Sequence, residues 1–229
     1  MNTTRAAFPS PLRPGRRRTV LLVGLALATF TAGEALAGSA NLRNTFPGRR
    51  IGGGTRGECT ARLIAHLVPS SSVFAPGSSR TVGILEGPSA NPRPLGLTFS
   101  PLRGNGTVDS ARKSYRSRTV PSSGAGLTLV TVPAFQGPTV WETAYRCEDA
   151  PAPVSASTDL DFVTTDAPPA LSLLVTEAGA EDAALQRSLK ELRSACGSTV
   201  DRATVAKAFS LTDVLTSDWP ARLPVRCPG

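Results

Sequence analysis

The sequence predicts a mainly β protein: an immunoglobulin-like β-sandwich followed by a short-helix segment, α+β overall. Three observations predict it. Six short apolar runs between residues 62 and 147 are separated by turn clusters at the spacing of a sandwich. The composition, 40% apolar with 21 Gly and 20 Pro, suits short strands joined by turns rather than disorder. Beyond about Val175 the apolar period changes from that of strands to that of helices.

In chain order, Arg13, Arg16, Arg17 and Arg18 precede an apolar run from Thr19 to Thr31 and then Ala35-Leu36-Ala37. A positive start, a short hydrophobic stretch and a small-x-small exit make residues 1–37 a secretory signal peptide, with cleavage expected after Ala37. Thirteen apolar residues fall short of the roughly 20 that a spanning helix needs. Arg17-Arg18 also has the twin-arginine shape, but the general secretory route is the expected one. Residue 38 is Gly, so no acylated cysteine tethers the product, and a periplasmic or secreted protein without a membrane span is expected.

Residues 38–58 form a Gly- and Arg-rich lead-in without periodicity, read as irregular. The sandwich-like domain is placed at 59–176. Its expected strands are Arg62–Val68, Thr81–Leu85, Leu95–Phe99, Ser114–Val120, Leu127–Val132 and Thr139–Cys147, with a last one at Leu171–Val175. Residues 148–158 read as a linker or long loop. The segment 177–229 is expected to be helical. Leu185, Leu189, Leu192 and Cys196 recur at helical spacing, and Gly197 suits a helix end. Ser198-Thr199-Val200-Asp201 and Ser210-Leu211-Thr212-Asp213 resemble capping boxes and predict two further short helices.

Removing residues 1–37 leaves 20 basic and 16 acidic residues, a net charge of +4 on 192 residues. That modest field, in an exported chain, excludes nucleic acid as a partner. Four cysteines, Cys59, Cys147, Cys196 and Cys227, predict two disulfides in an oxidising compartment. Of the three pairings, Cys59–Cys147 and Cys196–Cys227 staple one compositional region each. Zinc would need paired C-x-x-C spacings or nearby histidines, and neither exists. No metal or cofactor is expected.

Each candidate site also has a plain structural reading. Arg49, Arg50 and Arg56 flank Gly52-Gly53-Gly54, where converging backbone N–H groups and guanidiniums suit an anion. A Gly-rich segment pinned to the sheet by Cys59 is the simpler reading, since no helix-opening Gly-Lys-Ser/Thr follows. Arg112, Lys113, Arg116 and Arg118 form the strongest basic cluster and suit an anionic polymer or acidic surface, though such runs are more often solvated hairpins. His66, the sole histidine, shares a strand face with Ile64 and Val68 and reads as a partly buried structural residue. No catalytic residue is assigned, because no nucleophile elbow accompanies His66. Ser110-Ala111-Arg112-Lys113 matches S-x-x-K without its companion motifs, and Asp159 with Asp161 lacks calcium-loop spacing. Trp141, Thr143, Tyr145 and Cys147 alternate onto one strand face and are expected to pack against a facing sheet.

Pro47-Gly48-Arg49-Arg50, Gly52-Gly53-Gly54-Thr55-Arg56-Gly57 with Cys59, the run Leu63–Pro69, and Gly126–Pro133 ahead of Trp141 and Cys147 carry a resemblance. Residues 43 to 150 thereby resemble an uncharacterised family of exported cyanobacterial proteins, domain of unknown function 928. Thr81-Val82-Gly83-Ile84-Leu85 departs from the family's aromatic-rich strand, which marks a divergent branch. The resemblance implies an envelope location and a β-rich domain followed by helices, and it carries over no functional residues. The sequence therefore points to an exported cell-envelope binding or structural protein, its partner an envelope protein or anionic glycan. The alternative is an envelope hydrolase pairing a serine nucleophile with His66.

Overall fold

The computed structural model describes residues 42–53, 62–103, 116–146 and 168–228. The leader, the Cys59–Cys147 pairing, the 148–158 linker, and Arg56, Arg112 and Lys113 lie outside the described residues. Within them the chain is mainly β, in two mixed sheets.

The first sheet runs β1 (Ile51–Gly52), β2 (Ile64–His66), β4 (Thr81–Glu86), β7 (Gly126–Thr131), β11 (Arg222–Arg226) and β10 (Thr199–Asp201). The second runs β3 (Val73–Phe74), β9 (Ala170–Leu174), β8 (Thr139–Tyr145), β5 (Leu95–Pro101) and β6 (Arg116–Val120). All pairings are antiparallel except β11 on β7 and β3 on β9. The expected strands thus form close to their sequence positions. β2 is shorter than 62–68, because Val68 N–H turns back to the His66 carbonyl at 2.9 Å.

Register fixes which side chains meet. His66 pairs with Ile84 and Ile84 with Thr128, so these three share a face, as do Ile64 and Glu86. That face meets the second sheet. The opposite face, with Ala65, Leu85, Leu127 and Val225 in register, is also buried, so β4 is covered on both sides. Helix α1 (Asp182–Ser194) supplies part of that cover through Leu185, Leu189 and Leu192. Arg193 at its end donates to the Thr81 and Thr131 hydroxyls at 3.0 and 3.1 Å.

The C-terminal segment differs from expectation. Thr199–Asp201 is a strand, because its β-branched pair Thr199-Val200 ladders onto Leu223 and Pro224. Asp201 then caps helix α2 (Arg202–Ala208) by accepting from Thr204 N–H at 3.0 Å. Residues 211–215 make a single turn rather than a helix: Leu215 N–H reaches the Leu211 carbonyl at 2.9 Å, and Leu211 and Leu215 are buried. The tail is therefore part of the first sheet. Cys196 and Cys227 are bonded as expected, with their α-carbons 5.8 Å apart. Cys196 does not lie on the apolar stripe, however. It falls beyond the helix end, exposed, at a turn closed by Gly197 in the left-handed region (φ 79°).

Residues 42–53 are not irregular either. Arg49 exchanges both backbone hydrogen bonds with Leu171 of the second sheet, and β1 pairs with β2 of the first. Gly52 makes this crossing feasible, since a β-carbon there would collide with the backbone of Ala170. Among the described residues no helix is long and apolar enough to cross a membrane.

Candidate functional site

Three polar clusters stand out among the described residues. The first centres on His66, which β2 aims between the sheets. Nδ1 lies 2.8 Å from Ser172 Oγ on β9, and Nε2 lies 2.9 Å from Thr143 Oγ1 on β8. The imidazole stacks on Trp141 with centroids 3.5 Å apart and planes at 8°, and Trp141 stacks in turn near Phe99. His66, Thr143, Ser172 and Trp141 are all fully buried. Burial holds His66 well below the usual imidazole range, so the ring is neutral, one nitrogen donating and the other accepting.

This is a serine–histidine pair of the right length, and Ser172 is a partner that sequence reasoning did not name. A nucleophilic pair also needs an orienting carboxylate and access to substrate. Thr143 holds the place a carboxylate would take, and no solvent reaches Ser172. In this conformation the arrangement forms hydroxyl–imidazole–hydroxyl hydrogen bonds that tie one sheet to the other. The expected inward face of Trp141 and Thr143 is therefore present, and His66 is more deeply buried than its sequence suggests.

The second cluster is made by arginines of the lead-in. Arg50 donates through Nη1 to the carbonyls of Val68 and Phe209, both at 2.9 Å, and through Nη2 to that of Ser210 at 2.8 Å. Phe209 and Ser210 end helix α2, so a guanidinium sits at the carbonyl end of a helix, where a cation is favoured. Burial lowers the Arg50 pKa and the Glu181 carboxylate opposes this. Arg49 is exposed, donates to the Pro169 carbonyl at 3.3 Å, and lies near Glu142, whose carboxyl is raised by burial and lowered in part by Arg49. Arg43, not singled out from sequence, joins Asp182 at 2.6 Å and donates to the Glu177 carbonyl at 2.8 Å. Arg49 and Arg50 thus diverge, one outward and one inward. Arg118 reaches the Pro228 carbonyl at 3.0 Å from β6, on which Arg116 also lies.

The third cluster was not anticipated. Arg62 and Glu86 are both buried, with Nη1 to Oε2 at 3.4 Å. Glu86 Oε1 accepts from the hydroxyls of Ser123 and Thr128, each at 2.9 Å. Arg62 Nε donates to the Gly87 carbonyl, and the guanidinium lies 5.9 Å from the Tyr145 ring centroid. Burial raises the Glu86 carboxyl, while Arg62, the two hydroxyls and Arg226 pull it back. Tyr145 is pushed well above the usual phenol range by burial. Among the described residues no group of His, Cys, Asp and Glu could hold a metal. Comparison of the chain with protein-family models, characterised proteins and solved structures finds no match.

Proposed function

We propose that the chain is an exported, disulfide-stapled binding or structural component of the cell envelope, periplasmic or secreted, related to the domain of unknown function 928. The observation that supports this best is the sealed His66: the sole histidine is spent, with Ser172 and Thr143, on joining two sheets. Two sheets joined by buried hydroxyl–imidazole hydrogen bonds suit a scaffold that presents loops to partners. An immunoglobulin-like mode of use belongs to the proposal, with the parallel pairings β7–β11 and β3–β9 as its departures from a purely antiparallel sandwich. Because three carbonyls hold Arg50 and Arg49 is exposed, Arg49 replaces Arg50 in the reading, and Arg49, Arg56, Arg112, Lys113, Arg116 and Arg118, the last also bonded to the Pro228 carbonyl, are the arginines and lysine assigned to an anionic glycan or acidic envelope protein.

Co-sedimentation of the purified chain with cell-wall and outer-membrane glycans tests this, with Arg49→Ala and Arg56→Ala expected to weaken capture. Unchanged capture by both variants would remove the lead-in arginines from the reading. The hydrolase alternative is favoured by one observation, the 2.8 Å separation of Ser172 Oγ and His66 Nδ1. A fluorophosphonate probe separates the two: no adduct is expected on Ser172, and a stoichiometric adduct abolished by His66→Gln would establish the enzyme.

A further inference from the structure

At the end of the sheet interface where β4 finishes, β7 begins and β11 finishes, buried polar atoms are left over. Arg62 Nη1 and Nη2, Arg226 Nη1 and Glu86 Oε2 are buried and make no hydrogen bond. Arg62 is 4% exposed and Glu86 0%. The 3.4 Å approach of Arg62 Nη1 to Glu86 Oε2 attracts without satisfying either atom. Arg226 is placed by its own register, opposite Thr128, and by donating from Nη2 to the Ala125 carbonyl at 3.3 Å. Arg226 Nη1 lies beside Gly126, which is in register with Glu86, and its charge, like that of Arg62, lowers the carboxyl that burial raises.

Two consequences follow from elementary electrostatics. Two guanidiniums against one carboxylate leave an excess positive charge, with Arg62 and Glu86 buried, and that is costly unless an anion joins it. The unspent atoms also define what the guest must offer: acceptors for three guanidinium NH2 groups, and one donor for Glu86 Oε2. Chloride accepts but cannot donate, so it leaves the carboxylate oxygen facing a negative charge. Water donates and accepts but brings no charge. An oxyanion retaining one proton meets both conditions. We propose that Arg62, Arg226 and Glu86 form a buried site for a small protonated oxyanion, hydrogen carbonate or hydrogen phosphate. Ser123 and Arg226 are only half-buried, so the site borders solvent on the side of β11. The proposal is independent of the glycan reading, which concerns other arginines.

The experiment is thermal unfolding of the purified chain near neutral pH, at constant ionic strength, in chloride, hydrogen carbonate or phosphate. One of the two oxyanions is expected to raise Tm in a saturable way, by about 5–10 °C at about a hundred times Kd, and the one that does so identifies the guest. Arg226→Gln should weaken that affinity about tenfold or more, since it removes a charged donor. Equal Tm in all three salts would overturn the proposal and leave water as the occupant. Chloride as effective as the oxyanions, or an undiminished effect in Arg226→Gln, would overturn it as well. Should that variant not fold, titration of the unaltered chain with 13C-labelled hydrogen carbonate and with phosphate, observed by carbon and phosphorus NMR, decides the matter: protein-induced line broadening for one of them supports the site, and none for either refutes it.

Discussion

His66 and Glu86 stand on neighbouring, hydrogen-bonded strands and face the same interior, yet they solve burial in opposite ways. Around His66 everything is neutral. Two ring nitrogens meet two hydroxyls, each able to donate or accept, and Trp141 Nε1 is the buried polar group nearby left without a partner. Around Glu86 the groups are charged and their donors outnumber the acceptors. A hydroxyl can rotate to suit whichever imidazole tautomer is present, whereas a guanidinium always presents donors and a carboxylate nearly always acceptors. The two imidazole nitrogens are therefore satisfied by the protein's own hydroxyls, and the charged set requires a guest.

Removing one side of the charged set should show the contrast at its largest. Glu86→Ala leaves Arg62 buried without its carboxylate and should destabilise by about 3–5 kcal/mol in urea unfolding. Replacing both, as in Glu86→Leu with Arg62→Met, should recover most of that loss, because the two buried charges are then gone and only the half-buried Arg226 is left. A double variant as unstable as Glu86→Ala would mean that Arg62 acts through packing instead.

The disulfide sharpens the comparison from outside the interface. Cys227 follows Arg226 directly and is tied to Cys196 across 31 residues, a loop worth about 3–4 kcal/mol by chain entropy before native strain. Cys196→Ser with Cys227→Ser should lower stability by up to that amount. Amide exchange should rise first in β11, beside Arg226, and last in β2, beside His66. Uniform acceleration across both strands would show that the two ends open as one unit.

A smaller effect is expected from the neutral set. Ser172→Ala strands one His66 nitrogen in a site water does not reach and should destabilise by about 1–3 kcal/mol. Thr143→Val should cost a similar amount, and combining the two should cost less than the sum, because they share one imidazole. Strict additivity would indicate that each hydroxyl is bonded for some other reason.

Much of the frame can be read along the chain, and the reason is locality. Thr81–Glu86, Leu95–Pro101, Gly126–Thr131 and Thr139–Tyr145 announce themselves by β-branched or alternating runs between Gly/Pro clusters, and α1 by Leu185, Leu189 and Leu192 at helical spacing. The strand at Arg222–Arg226 carries the same alternation in Leu223 and Val225, but Pro224 between them argues against a strand with neighbours on both sides, which β11 has. The clusters are less legible because their partners are distant. Ser172 is 106 residues from His66, Asp182 is 139 from Arg43, and two of the three carbonyls that hold Arg50, those of Phe209 and Ser210, are 159 and 160 away. Only the inward phase of Trp141 and Thr143 hinted at where His66 would find its hydroxyls.

Acid offers the last way to separate the two regions, since they respond to it with opposite sign. The folded His66 pKa lies below the unfolded one, so the unfolded chain binds more protons. The stability due to keeping His66 neutral is present above about pH 6.5 and is lost as the pH falls toward the folded value, by up to about 1.4 kcal/mol per pH unit. Glu86 is raised, so its folded form binds more protons than the unfolded chain. Acidification toward the ordinary carboxylate range, near pH 4.3, therefore returns stability at Glu86 that is missing at neutral pH. Unfolding free energy measured from pH 8 downward should decline below pH 6.5, and His66→Gln should flatten that decline while leaving the carboxylate region unchanged. A decline that persists in His66→Gln would place the acid sensitivity outside the sheet interface, among groups that the imidazole does not touch.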